Sequence, residues 1–248
     1  MAVVTDRVQV TELTAKIEPF DSFWEAPHDV EKGYRTVGAF YRYNYLKYVP
    51  QDRATRVLDI SCGPGYFVNL LKEEGYTDVL GIDSFPDKIA YAAKRNLNCR
   101  TAHAFDFLKD NQRPFDVIFC EQEINHLTKD EILAFLALCH QNLIPGGTLI
   151  IHSLNGANPI TGAEAFAQNF DHYNTFTAYS LTQILEYSSF DHIRVIPLNL
   201  YVFYGNPLNY VAKLLDAINT FVFRFNFALY GKENRIFTKK IAAISRKG

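Results

Sequence analysis

The 248-residue chain is 48% hydrophobic and 21% charged, an ordinary balance for a folded globular protein that excludes a mostly disordered chain. Its length suits one well-buried α/β domain with covering segments rather than two full domains. A formal net charge of -2, with basic residues scattered along the chain, lacks the concentrated positive footprint that general nucleic-acid binding needs.

The N-terminal stretch MAVVTDRVQVTELTAKIEPF carries charges throughout and has no apolar segment with a cleavage site behind it, so no signal peptide is expected. From about Arg56 to Ile151, short apolar runs alternate with longer amphipathic ones, as βαβ units and a parallel sheet require. Strands are expected at 56–60 (RVLDI), 78–83 (DVLGID), 99–103 (CRTAH, the weakest), 115–120 (FDVIFC) and 147–152 (GTLIIH). Their branched and aromatic content fits strands buried on both faces. The helices between them are YFVNLLKEEG, PDKIAYAAKRN and TKDEILAFLALCHQNL. Pro86 suits a first helical turn, Thr128 with Glu131 makes a capping-box pattern, and Pro145-Gly146-Gly147 predicts a turn before the fifth strand.

After His152 the polar, aromatic-rich stretch SLNGANPITGAEAFAQNFDHYNTFT reads as a segment that covers a site. SLTQILEYSS then reads as a helix, FDHIRVIPL and FTKKIAAISR as strands, and NPLNYVAKLLDAINTFVFRFNFALYG as an amphipathic helix with a broad apolar face. That face suits packing on the core, a homodimer contact, or a peripheral membrane or lipid-linked contact. Lys213, Asp216, Asn219 and Arg224 interrupt it, so no transmembrane segment is expected. The cysteines Cys62, Cys99, Cys120 and Cys139 form neither a CxxC pair nor a disulfide scaffold, which points to reduced thiols and a cytoplasmic protein.

The chemistry-bearing motif is VLDISCGPGYF. Asp59 stands near the end of the first strand and Gly63-Pro64-Gly65 in the turn to a helix, the arrangement of nucleotide-type sites in doubly wound folds. Asp83, followed by Ser84, closes the second strand, where a carboxylate can accept the hydroxyls of a ribose. A dinucleotide is the rival ligand, but its G-x-G-x-x-G fingerprint meets Val68 at the third glycine, and Pro64 removes an N–H from a pyrophosphate cradle. Asp59 would also repel a pyrophosphate. S-adenosylmethionine has no phosphate and carries an ammonium and a sulfonium, which favour an acid at that strand end. Beyond the third strand, Asp106 can accept from the adenine amino group and Phe107 can pack on the ring or fill core. Glu121, after the fourth strand, is read as a cofactor-side acid rather than a metal ligand, and no metal is expected.

With these residues the chain resembles the class I S-adenosylmethionine-dependent methyltransferases over nearly its whole length, and more narrowly a bacterial subset associated with polysaccharide and other sugar biosynthesis. VLDISCGPGYFVNLLKEEGYTDVLGID is similar to the subset's cofactor-binding half and FYRYNYLKYVP to its opening helix. LIPGGTLIIHSLNGANP, NFDHYNTFTAYSLTQIL and FTKKIAAISRK match the second half more loosely, and Asn125 stands where relatives carry an acid. The resemblance implies a Rossmann-like α/β fold with a seven-stranded sheet, an antiparallel last strand and helices on both faces. Residues 1–50 would be N-terminal covering helices, and 51–248 the methyltransferase domain, with a substrate-side insertion at about 153–178 and an amphipathic helical segment at about 206–231. It also implies Arg42 as the partner of the cofactor's carboxylate.

Methyl transfer is mainly a matter of alignment, but a sugar hydroxyl needs its proton removed and histidine is the natural base near neutral pH. Of His103, His126, His152 and His172, the order of preference is His172, which matches the family's "D-x-T-H" histidine, then His126; His152 reads as structural. The expected function is O-methylation of a sugar or sugar-linked small molecule. The alternatives are N-methylation of an amino-sugar or small amine, which needs no strong base, and a non-catalytic cofactor-binding partner protein.

Overall fold

The structure, a computed structural model, describes residues 27–121, 123–167, 172–200 and 207–248. Helix α1 (Pro27–Asn44) leads into a regular alternation of β1 (Arg56–Ile60), α2 (Tyr66–Glu73), β2 (Asp78–Asp83), α3 (Pro86–Lys94), β3 (Cys99–Thr101), α4 (Ala104–Asp110), β4 (Phe115–Glu121), α5 (Lys129–Asn142) and β5 (Leu143–Leu154). There follow α6 (Gly162–Ala167), α7 (Ala178–Tyr187), β6 (Phe190–Pro197), α8 (Leu208–Leu229) and β7 (Lys240–Lys247). Pro86 opens α3, and Thr128 and Glu131 close the reciprocal capping box of α5, which satisfies two of that helix's orphan N–H groups.

All seven strands join one sheet in the order β3-β2-β1-β4-β5-β7-β6. Strands β1 to β5 pair in parallel, and β7 runs antiparallel to both β5 and β6. This is the Rossmann-like class I methyltransferase fold that the motifs imply. Successive strand residues feed opposite cores, as the two-residue period of a strand dictates. Leu58, Ile118 and Ile151 enter one core together with Phe105, Phe135 and Leu181. Val57, Phe119 and Ile150 enter the other, beneath Tyr41, Tyr45, Phe67 and Leu71. The strand order turns back between β1 and β4, so the crevice beyond their carboxyl ends is the topological switch point where ligands bind in open α/β sheets.

Two expectations change in detail. The fifth strand begins at Leu143 rather than after the Pro-Gly-Gly turn, because Pro145-Gly146-Gly147 is accommodated as a bulge: pairing jumps from Phe115↔Leu143 to Val117↔Thr148. Phe107 lies in the core, 6.3 Å from the Phe115 ring centroid and with the Arg100 guanidinium 4.7 Å from its own, which is the core packing of its two readings.

The side of the sheet that carries the site rests on an aromatic cluster. Phe119 is 1% exposed and lies 4.3 Å from the Phe67 centroid, 4.9 Å from Tyr45 and 5.7 Å from Tyr41. Phe119→Ala is expected to lower the free energy of unfolding by about 3–5 kcal/mol, measured by urea denaturation.

Candidate active site

Three carboxylates converge at the carboxyl ends of β1, β2 and β4. Asp59 is buried at 2% exposure and Asp83 at 6%, and the part-buried Glu121 ends β4. Gly63 and Gly65 both take positive φ, 54° and 83°, the left-handed region that glycine enters without strain. A Cβ at Gly65 would press on Leu97 and Cys99 at 3.0 and 3.1 Å, whereas one at Gly63 would meet nothing within 4 Å. Gly63 therefore borders open space, and Gly65 fixes the loop onto the fold. The Asp83 carboxylate accepts from the N–H groups of Gly63 and Phe85, each at 2.9 Å, which ties the glycine turn to β2. Ser84 and Asp83 line a small cleft with Ser61, His103, Ala104 and Glu123.

Burial raises the Asp59 carboxyl well above its ordinary range, and Cys99, Glu121 and Asp83 push in the same direction. Burial also raises Asp83, opposed by Lys88 and by the amides of Phe85 and Gly63. Around Asp59 the pocket is acidic, since Glu121 and Asp83 both oppose its ionisation. It repels a pyrophosphate and suits a cationic ligand.

Glu121 sits in a denser network. The Tyr41 hydroxyl donates to it, His152 Nδ1 lies 3.0 Å from Oε1 and Lys240 Nζ 3.9 Å. Burial alone would raise its carboxyl, but His152, Lys240 and the Tyr41 hydroxyl outweigh this and hold it down at about 2. His152 is fully buried, and burial lowers its own pKa against the opposing pull of Glu121.

The segment after β5 is laced onto the turn after β4. Asn125, fully buried, accepts at its carbonyl from Tyr173 N at 2.9 Å and Asn174 N at 3.2 Å. Its side-chain amide donates to Asn174 O at 2.7 Å, and Asn174 in turn donates to Leu127 O. This lacing brings His172 against His126, ring centroids 4.7 Å apart and edge to face. His172 Nδ1 lies 2.8 Å from Ala165 O. A carbonyl only accepts, so Nδ1 carries the hydrogen and Nε2 the lone pair. Asn169 and Asp171, in the stretch matched to the resemblance, lie outside the described residues.

Arg42 is not at the glycine loop. It is half exposed and paired with Glu73 and Glu74 at the far end of α2, because the helical period turns Phe40, Tyr41, Asn44 and Tyr45 inward and Arg42 outward. Asp106 is exposed in the first turn of α4. Residues passed over in the sequence are Tyr41, Tyr34, whose hydroxyl donates to Pro64 O at 2.7 Å and so clamps the glycine turn, and Ser61, which donates to Glu123 at 2.5 Å. The inward period of α1 is the signal that would have found both tyrosines.

The depressed Glu121 carboxyl makes a signed prediction. Its stabilisation is present above its ordinary value near 4.5 and is lost as pH falls toward about 2. The stability difference between wild type and Glu121→Gln is therefore expected to shrink by on the order of 2–3 kcal/mol between pH 5 and pH 2, followed by urea unfolding across that range.

Comparison with known proteins agrees with this geometry. Residues 33–194 match the family described as "Methyltransferase domain". A curated relative, the ubiquinone biosynthesis O-methyltransferase of Xylella fastidiosa (strain 9a5c), is 30% identical over 165 residues, covering 62% of this chain and 65% of the relative. The chain spans 63% to 65% of the Xylella fastidiosa relatives and less of others, down to 35% of the human mitochondrial one. Among solved structures, a SAM-dependent methyltransferase from Archaeoglobus fulgidus superposes with a TM-score of 0.64 at 22% identity, covering 90% of this chain and all of that one. A Haemonchus contortus phosphoethanolamine N-methyltransferase 2, in complex with S-adenosyl-L-methionine, gives 0.59 at 16% identity over 91% of this chain and 59% of its own. With the family matched across most of the length and the strand order, glycine turn and acidic pocket in place, this chain belongs to the methyltransferase-domain family.

Proposed function

We propose that this protein is an S-adenosylmethionine-dependent O-methyltransferase acting on a hydroxyl of a small molecule, with His172 as the general base. The observation that carries the reading is the His172–His126 pair, brought together after β4 by the lacing of Asn125 and oriented by the Ala165 carbonyl. S-adenosylmethionine would supply an electrophilic methyl group. Its ammonium and sulfonium would suit the acidic ground around Asp59, and its ribose hydroxyls would suit Asp83 and Ser84 beside the turn where Gly63 leaves room. Asp106 remains the candidate for the adenine amino group, while Phe107 and Arg42 take no part. Glu121, fixed by Tyr41 and His152, keeps a permanent negative charge on the cofactor side.

His172 Nε2 would accept the hydroxyl's proton as the oxygen gains the methyl group and the cofactor's methyl–sulfur bond breaks to leave a neutral thioether, and the imidazolium so formed would lie edge-on to His126. An amine acceptor would not need this base. The curated relatives are named as O-methyltransferases of ubiquinone biosynthesis, which favours a hydroxyl of a quinone precursor over the sugar hydroxyl suggested by the motif resemblance. Both belong in the first panel of acceptors.

His172→Ala is expected to lower kcat by about 10²- to 10⁴-fold with the Kd for S-adenosylhomocysteine within about twofold of wild type. His126→Ala should have a smaller effect. Retention of full activity in His172→Ala would remove the base assignment, insensitivity of both variants would favour an amine acceptor, and cofactor binding without methylation of any acceptor would favour a non-catalytic partner protein.

A further inference from the structure

Helix α8 is folded with its apolar side facing away from the protein. At 100° per residue, its partly buried positions Asn209, Ala212, Lys213, Asp216, Thr220, Phe223 and Phe227 fall along one line of the helix. Along that line Phe223 and Phe227 pack on Phe237, centroids 5.7 and 4.8 Å apart. Val211, Leu214, Ile218, Phe221, Phe225 and Leu229 lie on the opposite side, all half exposed or more, with Phe221 at 73%. With Leu208, Tyr210, Leu215 and Val222 they fill a continuous arc of about 160°. The arc presents on the order of 1,000 Å² of side-chain surface, beyond the few hundred Å² of contiguous apolar patch that a soluble monomer exposes. None of the 22 residues of this helix is fully buried.

The charges decide the occupant. The only acid of the helix, Asp216, is on the inward line. Lys213 belongs to the inward line, its ammonium 5.7 Å from the Tyr43 ring centroid, whereas the exposed Arg224 flanks one edge of the arc and the exposed Lys232 and Arg235 follow its C-terminal end, with Glu233 as the only acid among them. A second copy seated on this face would bring the same net positive rim of Arg224, Lys232 and Arg235 against this one, which like-charge repulsion disfavours. An anionic surface meets no such conflict, and apolar residues rimmed by cations are the pattern of an interfacial helix. No described helix is long and apolar enough to cross a membrane, so the helix would lie in the plane of the surface. We propose that α8 seats the protein on an anionic lipid surface through its outward face.

The test is flotation of the full-length protein with vesicles of phosphatidylglycerol and phosphatidylcholine at equal parts, and with phosphatidylcholine alone, without acceptor or turnover. Wild type is expected to float with the mixed vesicles and to bind the neutral ones at least fivefold less. The exposed double substitution Phe221→Glu with Phe225→Glu should lower binding at least tenfold, and Arg224→Gln with Lys232→Gln should remove the preference for anionic lipid. Unchanged S-adenosylhomocysteine affinity reports that the variants are folded. If wild type stays unbound with both vesicles, the proposal is overturned. It is equally overturned if light scattering shows a dimer that the phenylalanine substitutions split into monomers while lipid binding is absent. Neither result depends on methyl transfer.

Discussion

The central constraint is the burial of like charge at the switch point between β1 and β4. Asp59, Asp83 and Glu121 approach one another in a pocket where each disfavours ionisation of Asp59. Such an arrangement costs stability unless it is neutralised. The fold handles the three differently. Asp83 is satisfied by two backbone amides, one from the glycine turn and one from its own loop, Glu121 by a tyrosine, a histidine and a lysine drawn from α1, β5 and β7, and Asp59 is left with a raised pKa. Asp59 is therefore the group on which a cationic ligand gains most, since a positive charge beside it restores the ionised form.

That constraint explains why the surrounding aromatic packing is so dense. Tyr41 donates to Glu121 only because α1 is held on the sheet by Phe40, Tyr45, Phe67 and Phe119. On the acceptor side, rigidity comes instead from amides. Asn125 and Asn174 join two segments that are far apart in sequence and have no helix or strand in common, and Asn155 and Asn158 anchor the same covering stretch to the carbonyls of residues 236–238. The asparagine that replaces an acid after β4 is thus a structural clasp, and an ionised carboxylate could not donate to Asn174 O as it does.

Much of the fold was legible because parallel strands buried on both faces are written as continuous apolar runs. Strands β1 and β2 coincide with RVLDI and DVLGID to the residue, and the Thr128–Glu131 box marks the start of α5. The glycine turn and its two flanking acids were readable for the same reason, since strand ends and tight turns are local features. What local pattern did not reveal was direction. Arg42 and Tyr41 are adjacent, and only the inward period of α1 separates an exposed ion pair from a buried hydrogen bond. Phe107 looked equally suited to ring stacking and to core, and its contact with Phe115 is set by tertiary packing. The meeting of His126 and His172 depends on long-range lacing by Asn125, which no spacing encodes.

The most direct test of the account is a calorimetric titration of the purified protein with S-adenosylhomocysteine, run in parallel with NADH. An acidic, pyrophosphate-repelling pocket predicts a Kd for S-adenosylhomocysteine in the micromolar range, about −8 kcal/mol, and no measurable heat from NADH. Binding of NADH, with none of S-adenosylhomocysteine, would contradict the methyltransferase reading of the site while leaving the seven-stranded α/β fold in place.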